Sequence, residues 1–361
     1  MEVGLIGLPY VGKTTLFTAL TAGTGSAPDT SAAAAGKPIV GVVNIPDPRL
    51  QLIASFIETQ KIVPATLKIT DIPGIAPGDS HASRLLAHVR DVDALCHVVR
   101  CFEGGLGAPN PKGDMENLQT ELILADLQVV ENALPKAERA AKARDPEAVA
   151  RLSVLQKVKP VLDEGKPIST ILSRFEGHDA AELRAMKGMS FLTAKKTLYV
   201  ANVSENDVAD AGKKGPAAEV FARAKSEGME CIAVCAKIEA ELSELSEADR
   251  REMLESFGLK EPALPALAHG LQRLLGLMSF YTAGPKEVRA WTIHLGDTAP
   301  LAAGAIHSDI ERGFIRAEIY SVDDLAHYKS EKAIKEAGKL RTEGKSYVMR
   351  DGDVCHFLFN V

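Results

Sequence analysis

The strongest chemical signal in the sequence is the segment GLPYVGKT, which runs from Gly7 to Thr14. Its spacing matches the phosphate-binding loop G-x4-G-K-[S/T], and it lies between an apolar strand pattern and a helix pattern, as that motif requires. The glycines let backbone N–H groups surround phosphate oxygens, while Lys13 can reach the β- and γ-phosphates and stabilise transition-state charge. The Thr14 hydroxyl can ligate Mg²⁺, and Thr15 can bond the α-phosphate. The segment therefore predicts a nucleoside triphosphate site.

A second phosphate-site motif, Asp71-Ile72-Pro73-Gly74, follows the apolar strand pattern LKIT. A carboxylate at the carboxyl end of a neighbouring strand can hold Mg²⁺ through water, so we assign Asp71 to the metal and Gly74 to sensing the γ-phosphate. Ras-like GTPases place a water-orienting glutamine after this glycine, but here the residue is Ile75. No catalytic base is therefore assigned, and slow hydrolysis is expected unless a partner or another group orients the water. His81 is one such group, although an ordinary surface histidine is the favoured interpretation.

The third motif, Asn202-Val203-Ser204-Glu205, follows the strand pattern TLYVA. Guanine-binding domains have N-K-x-D at this position, so Val203 and Glu205 alter the group that selects guanine, while the Asn202 amide can still bind an adenine edge. A simple turn at a strand end is the alternative interpretation, disfavoured by the order of the three motifs. Cys235, in a C-A-K segment where such domains usually carry S-A-K, is expected beside the base.

The elements that must position these residues form an α/β pattern. Strand-like runs at 2–7, 39–45, 65–71, 94–100 and 197–205 alternate with helical segments, which predicts a mostly parallel sheet with helices on both faces. Residues 114–165 instead predict a projecting helical hairpin, in which Pro135 should kink or end the first helix. Its stretch from Lys136 to Lys159 carries seven basic and three acidic residues. That charge indicates either a solvated surface or a partner-binding one.

The composition limits the class of protein. The chain has 361 residues and a formal net charge of −6, which predicts two or three domains and argues against binding DNA by charge alone. No uninterrupted apolar stretch is long enough to span a membrane, and five cysteines suit a reducing compartment. We therefore expect a cytoplasmic protein with neither a membrane nor DNA as a partner.

Several long stretches make the chain similar to the YchF/Obg-like ATPases, a family of P-loop NTPases. They include GLIGLPYVGKTTLFTALT, VGVVNIPDPRL, TELILADLQVVE and LTAKKTLYVANVSENDVAD, together with the C-terminal EGKSYVMRDGDVCHFLFNV. The resemblance implies a G domain over 1–280, interrupted by a helical insertion at 112–190, and a β-grasp TGS domain over 281–361. It also implies an ATP-preferring, Mg²⁺-dependent hydrolase that associates with the ribosome or a ribosomal RNA–protein surface.

Carried over motif by motif, the resemblance places residues of this chain around the nucleotide. Tyr10, Val11 and Gly12 with the three residues that follow would form the core of the phosphate loop. Asn202 and Val203 would contact adenine.

Two departures from the family pattern affect turnover more than binding. The switch I threonine that closes on Mg²⁺ is replaced by Ala35, with Thr30 or Ser31 as weak substitutes, and the loop after Gly74 is shortened. These changes leave a second hypothesis open, namely a regulatory module that binds ATP without appreciable hydrolysis.

Overall fold

The computed structural model describes residues 1–22, 37–78, 82–104, 107–175, 180–210 and 212–360. The proposed switch I positions Thr30, Ser31 and Ala35, as well as His81, lie outside these described residues. The chain divides into two compact units, one formed by 1–41 and 68–266 and the other by 42–67 and 267–361.

This division differs in two ways from the boundary at 280/281 expected from the sequence. It falls at 266/267, and it adds 42–67 to the C-terminal unit. The domain boundary expected at 280/281 stays a prediction.

The first unit is built on a six-stranded sheet in the order β2-β4-β1-β5-β6-β7. Its strands are β1 (Glu2–Ile6), β2 (Ile39–Ile45), β4 (Ala65–Asp71), β5 (Ala94–Cys101), β6 (Thr197–Val203) and β7 (Cys231–Val234). The pairs β1–β4, β1–β5, β5–β6 and β6–β7 are all parallel. Every residue of β5 is buried, as expected for a strand covered on both faces. The predicted P-loop fold with a mostly parallel sheet is confirmed.

Helices connect and cover these strands. They span Lys13–Thr21, Ala82–Asp91, Pro111–Ala141, Pro146–Asp163, Ala180–Gly188, Gly215–Glu227, Ala236–Glu244 and Glu247–Ser256, while Leu264–Leu274 crosses the boundary at 266/267. Among the residues that the structure describes, no helix is both long and apolar enough to cross a bilayer.

The helical insertion contains more than the predicted hairpin. The helix Pro111–Ala141 does not end at Pro135, as one of the two sequence expectations had it, but continues past it. Proline removes one intrahelical hydrogen bond. Val130 and Ala137, before and after Pro135, are buried in one apolar cluster with residues of the second helix, Pro146–Asp163, and this packing compensates for the lost bond. The predicted turn is confirmed: Asp145 caps the second helix by accepting from the Ala148 N–H at 2.9 Å. The insertion also includes Ala180–Gly188 and a 3₁₀ segment, Ile168–Arg174.

Buried Asp126, in the first helix of the insertion, anchors that helix to the segment that leads into β6. Its carboxylate accepts from the backbone N–H groups of Leu192 at 3.0 Å and Thr193 at 2.8 Å. The Thr193 hydroxyl at 2.9 Å and Arg90 at 3.1 Å supply two further donors. One side chain therefore joins three parts of the unit that are distant in sequence.

His97, in the middle of β5, should make this unit sensitive to acid. Its pKa is lowered to about 3, chiefly by burial and also by the positive charges of Lys13 and Arg223. The folded state keeps this ring neutral, whereas the unfolded chain binds a proton below about pH 6.5, so stability is lost as pH falls from 6.5 towards 3. We expect His97→Gln to reduce the loss of unfolding free energy between pH 7 and pH 5 by about 2 kcal/mol in urea titrations. His88→Gln, on a partly exposed position of the same unit, is the control, and equal acid sensitivity of wild type and His97→Gln would contradict the prediction.

The second unit has its own six-stranded sheet, in the order β11-β10-β12-β8-β9-β3. Its strands are β3 (Ile62–Val63), β8 (Leu277–Ala283), β9 (Val288–His294), β10 (Phe314–Ser321), β11 (Arg341–Glu343) and β12 (Asp353–Phe359). Its helices are Pro48–Phe56, Ala299–Ile306, Ser308–Arg312, Val322–Tyr328 and Glu331–Glu336. Most of these elements lie within or overlap 281–361, the range for which the resemblance implies a β-grasp domain, while β3 and Pro48–Phe56 come from 42–67.

A polar network attaches the 42–67 segment to this second sheet. Arg49 donates to Asp351 at 2.6 Å and to Asp47 at 3.0 Å, and Tyr281 also donates to Asp47. The Ser279 N–H donates to the other Asp351 oxygen at 3.0 Å. These contacts explain why 42–67 belongs to the C-terminal unit.

Candidate nucleotide-binding site

The phosphate loop lies between β1 and the helix Lys13–Thr21, as predicted. Gly12 precedes the helix with φ +89°, a left-handed conformation that favours glycine, and its carbonyl accepts the first helical bond, from the Leu16 N–H at 3.0 Å. No side chain caps this helix in the described structure, so its first N–H groups remain available. Free N–H groups and the positive end of the helix dipole form a site for phosphate.

Lys13 is buried and spans the loop. Its ammonium donates to the Leu8 carbonyl at 2.8 Å and to the Gly7 carbonyl at 3.2 Å. Burial lowers the pKa of Lys13 to about 8, against the opposing charge of Asp71. Because the buried ammonium has lost its hydration, binding an anion such as a phosphate would offset that desolvation cost.

Asp71 and Thr14 meet, as the two sequence motifs require of a metal site. The Thr14 hydroxyl donates to Asp71 Oδ2 at 2.7 Å. The other carboxylate oxygen, Oδ1, is buried and has no hydrogen-bond partner among the described residues. Burial raises the pKa of Asp71, while Thr14 and Lys13 favour its charged form. An unpaired hard oxygen beside a hydroxyl is a donor set that suits a Mg²⁺ ion with bound waters.

Gly74 packs directly against the phosphate loop. A side chain there would put Cβ 2.5 Å from the Pro9 nitrogen, so only glycine fits this contact. The following N–H, of Ile75, donates to the Gly7 carbonyl at 3.2 Å. The Ile75 side chain is 0% exposed and lies in an apolar cluster with Leu85 and Val89. It is therefore both aliphatic and turned into the core.

Asn202 connects three segments of the site. Its amide N–H donates to the Val11 carbonyl at 2.9 Å, and its oxygen accepts from the Ala236 N–H at 3.0 Å. A Cβ on Gly12 would lie 2.2 Å from that amide nitrogen, which is a second reason for glycine at this position. Asn202 thus positions the phosphate loop, and only one amide hydrogen and one lone pair are left for a nucleotide.

The remaining predicted base-site residues differ in accessibility. Val203 is 3% exposed in an apolar cluster that also contains Cys235 and Ile238. Cys235 precedes the helix Ala236–Glu244, and burial raises the pKa of its thiol. Glu205 is more open and forms an ion pair with Lys237 at 2.5 Å. Contact of any of these side chains with a base stays a prediction.

Sequence analysis missed two features of the site. The sequence places Lys237 in the C-A-K segment but does not predict its ion pair with Glu205, because 32 residues separate the two. Tyr10 was expected in the core of the phosphate loop, and there it adopts φ +63°, an uncommon conformation for an aromatic residue, with its side chain 78% exposed. Thr15 is also exposed, at the first turn of the helix.

Known protein families match both the N-terminal and the C-terminal part of the chain. A family model described as a 50S ribosome-binding GTPase matches residues 2–133, and one named for the C-terminal part of YchF GTPases, described as a protein of unknown function, matches 277–360. The ribosome-binding ATPase YchF of Haemophilus ducreyi is 43% identical over 370 residues, covering 100% of this chain and 99% of the relative. The protein of that name from Bacillus subtilis is 42% identical, with 100% of both covered. The solved structure of the Schizosaccharomyces pombe YchF GTPase is 30% identical, with a TM-score of 0.83, and covers 99% of this chain and 97% of that one.

Proposed function

The chain belongs to the YchF family, and from this membership we propose that it is a cytoplasmic, Mg²⁺-dependent ATPase whose nucleotide state controls binding to the ribosome. The proposal has three finer parts: ATP is preferred over GTP, intrinsic turnover is slow, and the ribosome or another RNA–protein surface is the partner. Homologues carry the name ribosome-binding ATPase, which supports the class of activity and of partner.

The observation that carries the proposal is the contact between Thr14 and Asp71 beside Lys13. The hydroxyl and carboxylate are 2.7 Å apart, one carboxylate oxygen is left without a partner, and the ammonium lies on the same loop. Mg²⁺ would be held by Thr14 directly and by Asp71 through water, and it would neutralise charge on the phosphates. Lys13 and the free N–H groups of the helix would bind the triphosphate itself.

The preference for ATP is supported by the third motif. A guanine-selective site needs a free carboxylate that accepts from the guanine N1–H and amino group, whereas Glu205 is longer than aspartate and already paired with Lys237. The lysine that lines the base in guanine-binding domains is absent, since Val203 is buried in the core.

Slow turnover is supported by Ile75. Hydrolysis requires a polar group that orients the attacking water, and Ile75 is a buried aliphatic side chain at the position where Ras-like GTPases have glutamine. The same observation favours a second candidate function, a regulatory module that binds ATP with negligible hydrolysis.

Equilibrium binding tests the base preference and the metal. With Mg²⁺ present, we expect ATP to bind more tightly than GTP, and removal of Mg²⁺ by EDTA to weaken ATP binding. A clear preference for GTP would refute the base assignment, and metal-independent ATP affinity would refute the roles of Thr14 and Asp71.

Single-turnover hydrolysis and co-sedimentation separate the two candidate functions. We expect a slow rate that rises when ribosomes are added, and different co-sedimentation with ribosomes in ATP and in ADP. A rate that stays at background with ribosomes would favour the non-catalytic module. Equal co-sedimentation in both nucleotides would contradict coupling to the partner.

A further inference from the structure

The two segments expected at the base form one connected edge, residues 202–205 and 235–237, which we call the base edge. Asn202 links them by accepting from the Ala236 N–H at 3.0 Å, and the same amide is tied to the phosphate loop through Val11 at 2.9 Å. Because this anchor is buried, the residues that follow it on each segment have a defined mutual position.

An ion pair bridges the base edge beyond this anchor. Lys237 Nζ lies 2.5 Å from Glu205 Oε1, although 32 residues separate them in sequence. Their side chains are 67% and 35% exposed, so the pair lies at the surface of the base edge. The hydrogen bond between them lowers the pKa of the carboxyl and raises that of the ammonium, so both groups stay charged.

Pairing changes which hydrogen bonds the base edge can offer. Guanine carries N–H donors at N1 and its amino group and needs an acceptor such as a free carboxylate. Adenine has an acceptor at N1. A carboxylate that already accepts from an ammonium has less capacity for guanine, while the ammonium retains N–H donors for an acceptor.

We propose that Lys237 is a specificity-determining residue, which lowers the affinity for GTP relative to ATP by holding the Glu205 carboxylate away from guanine. The inference rests on the proposed function, because it concerns the base end of the same nucleotide site. It adds a residue and a physical cause to the preference for ATP.

The test is equilibrium binding of ATP and GTP to the full-length Lys237→Met protein with Mg²⁺. Methionine keeps most of the side-chain stem but frees Glu205. We expect the ratio of the GTP Kd to the ATP Kd to fall about three- to five-fold, mainly through tighter GTP binding, since exposed ion pairs of this kind are worth a small factor. An unchanged ratio, or an equal loss of affinity for both nucleotides, would overturn the proposal.

Two further variants make the result specific to this pair. In Glu205→Gln the carboxylate is absent, so adding Lys237→Met should not change the ratio further; a shift as large as in the wild-type background would show that Lys237 acts without Glu205 and overturn the proposal. Lys159→Met breaks another exposed ion pair, with Asp163, in the helical insertion, and should leave the ratio at the wild-type value. A shift in this control equal to that of Lys237→Met would also overturn the proposal.

The outcomes separate this inference from the proposed function. If the wild type prefers ATP and Lys237→Met does not change the ratio, the role of Lys237 is wrong and the ATP preference stands. If the wild type prefers GTP, the ATP preference is wrong, whatever the variant does, and the inference falls with it.

Discussion

Lys13→Ala is expected to weaken binding of ATP by at least about 100-fold, because it removes the buried cation of the phosphate loop. In the structure that cation donates to the Gly7 and Leu8 carbonyls, and burial lowers its pKa to about 8 against the opposing charge of Asp71. A triphosphate would bring anionic oxygens to this desolvated ammonium, so the interaction is stronger than that of an exposed lysine with phosphate. Isothermal titration calorimetry with ATP and Mg²⁺ measures the change.

Two controls guard this experiment. Lys142→Ala removes an exposed lysine in the helical insertion and should bind ATP like the wild type. Lys13→Met keeps the aliphatic stem, so it should fold and yet show the same loss of affinity. Wild-type affinity in Lys13→Ala would refute the phosphate-loop assignment.

Asp126→Ala is expected to lower the free energy of unfolding by about 3–5 kcal/mol, the largest stability effect that we predict. Asp126 is 0% exposed, and burial raises its pKa although four hydrogen bonds favour the carboxylate. The folded protein therefore holds the charged form of Asp126 despite the free-energy cost of removing it from water. Its removal is harmful chiefly because the Leu192 and Thr193 N–H groups are left buried without an acceptor.

Urea unfolding at pH 7 measures this effect. Asp126→Asn keeps one acceptor oxygen but places an amide NH2 group, itself a donor, opposite the other donors, so we expect an intermediate loss. Asp163→Ala breaks only the exposed pair with Lys159 and should change stability by no more than about 0.5 kcal/mol. A loss below about 1 kcal/mol for Asp126→Ala would show that the anchor is not needed.

The phosphate end of the site could be predicted because its chemistry is local. Gly7, Lys13 and Thr14 lie within eight residues, and the loop geometry follows from glycine spacing and from the helix that begins at Lys13. Asp71 could be added because the carboxyl ends of parallel strands meet at one edge, and the 2.7 Å contact with Thr14 agrees with that expectation.

The base end was less predictable because its contacts are made between segments far apart in sequence. A motif shows that an asparagine and a glutamate follow a strand. It does not show that the Asn202 side chain donates to the Val11 carbonyl and accepts from the Ala236 N–H. Nor does spacing show that Glu205 finds Lys237 across 32 residues. Both facts change the chemistry available to a base.

Pro135 shows the same limit for the fold. Local chemistry predicts an interrupted helix, since proline cannot donate its backbone hydrogen bond. The helix continues because Val130 and Ala137 pack into a cluster with residues of the second helix, and this tertiary burial compensates for the lost bond.

By itself the sequence determined the class of protein: a nucleotide-binding P-loop domain, a helical insertion and a C-terminal module, since each depends on periodicity and short motifs. The tertiary structure alone decided which polar groups remain free. It left one oxygen of Asp71 unpaired, turned Ile75 into the core, closed Asn202 on the phosphate loop and joined 42–67 to the C-terminal unit. The physical reason is that hydrogen bonds and burial are satisfied between elements, and only the folded chain shows which partner each group has found.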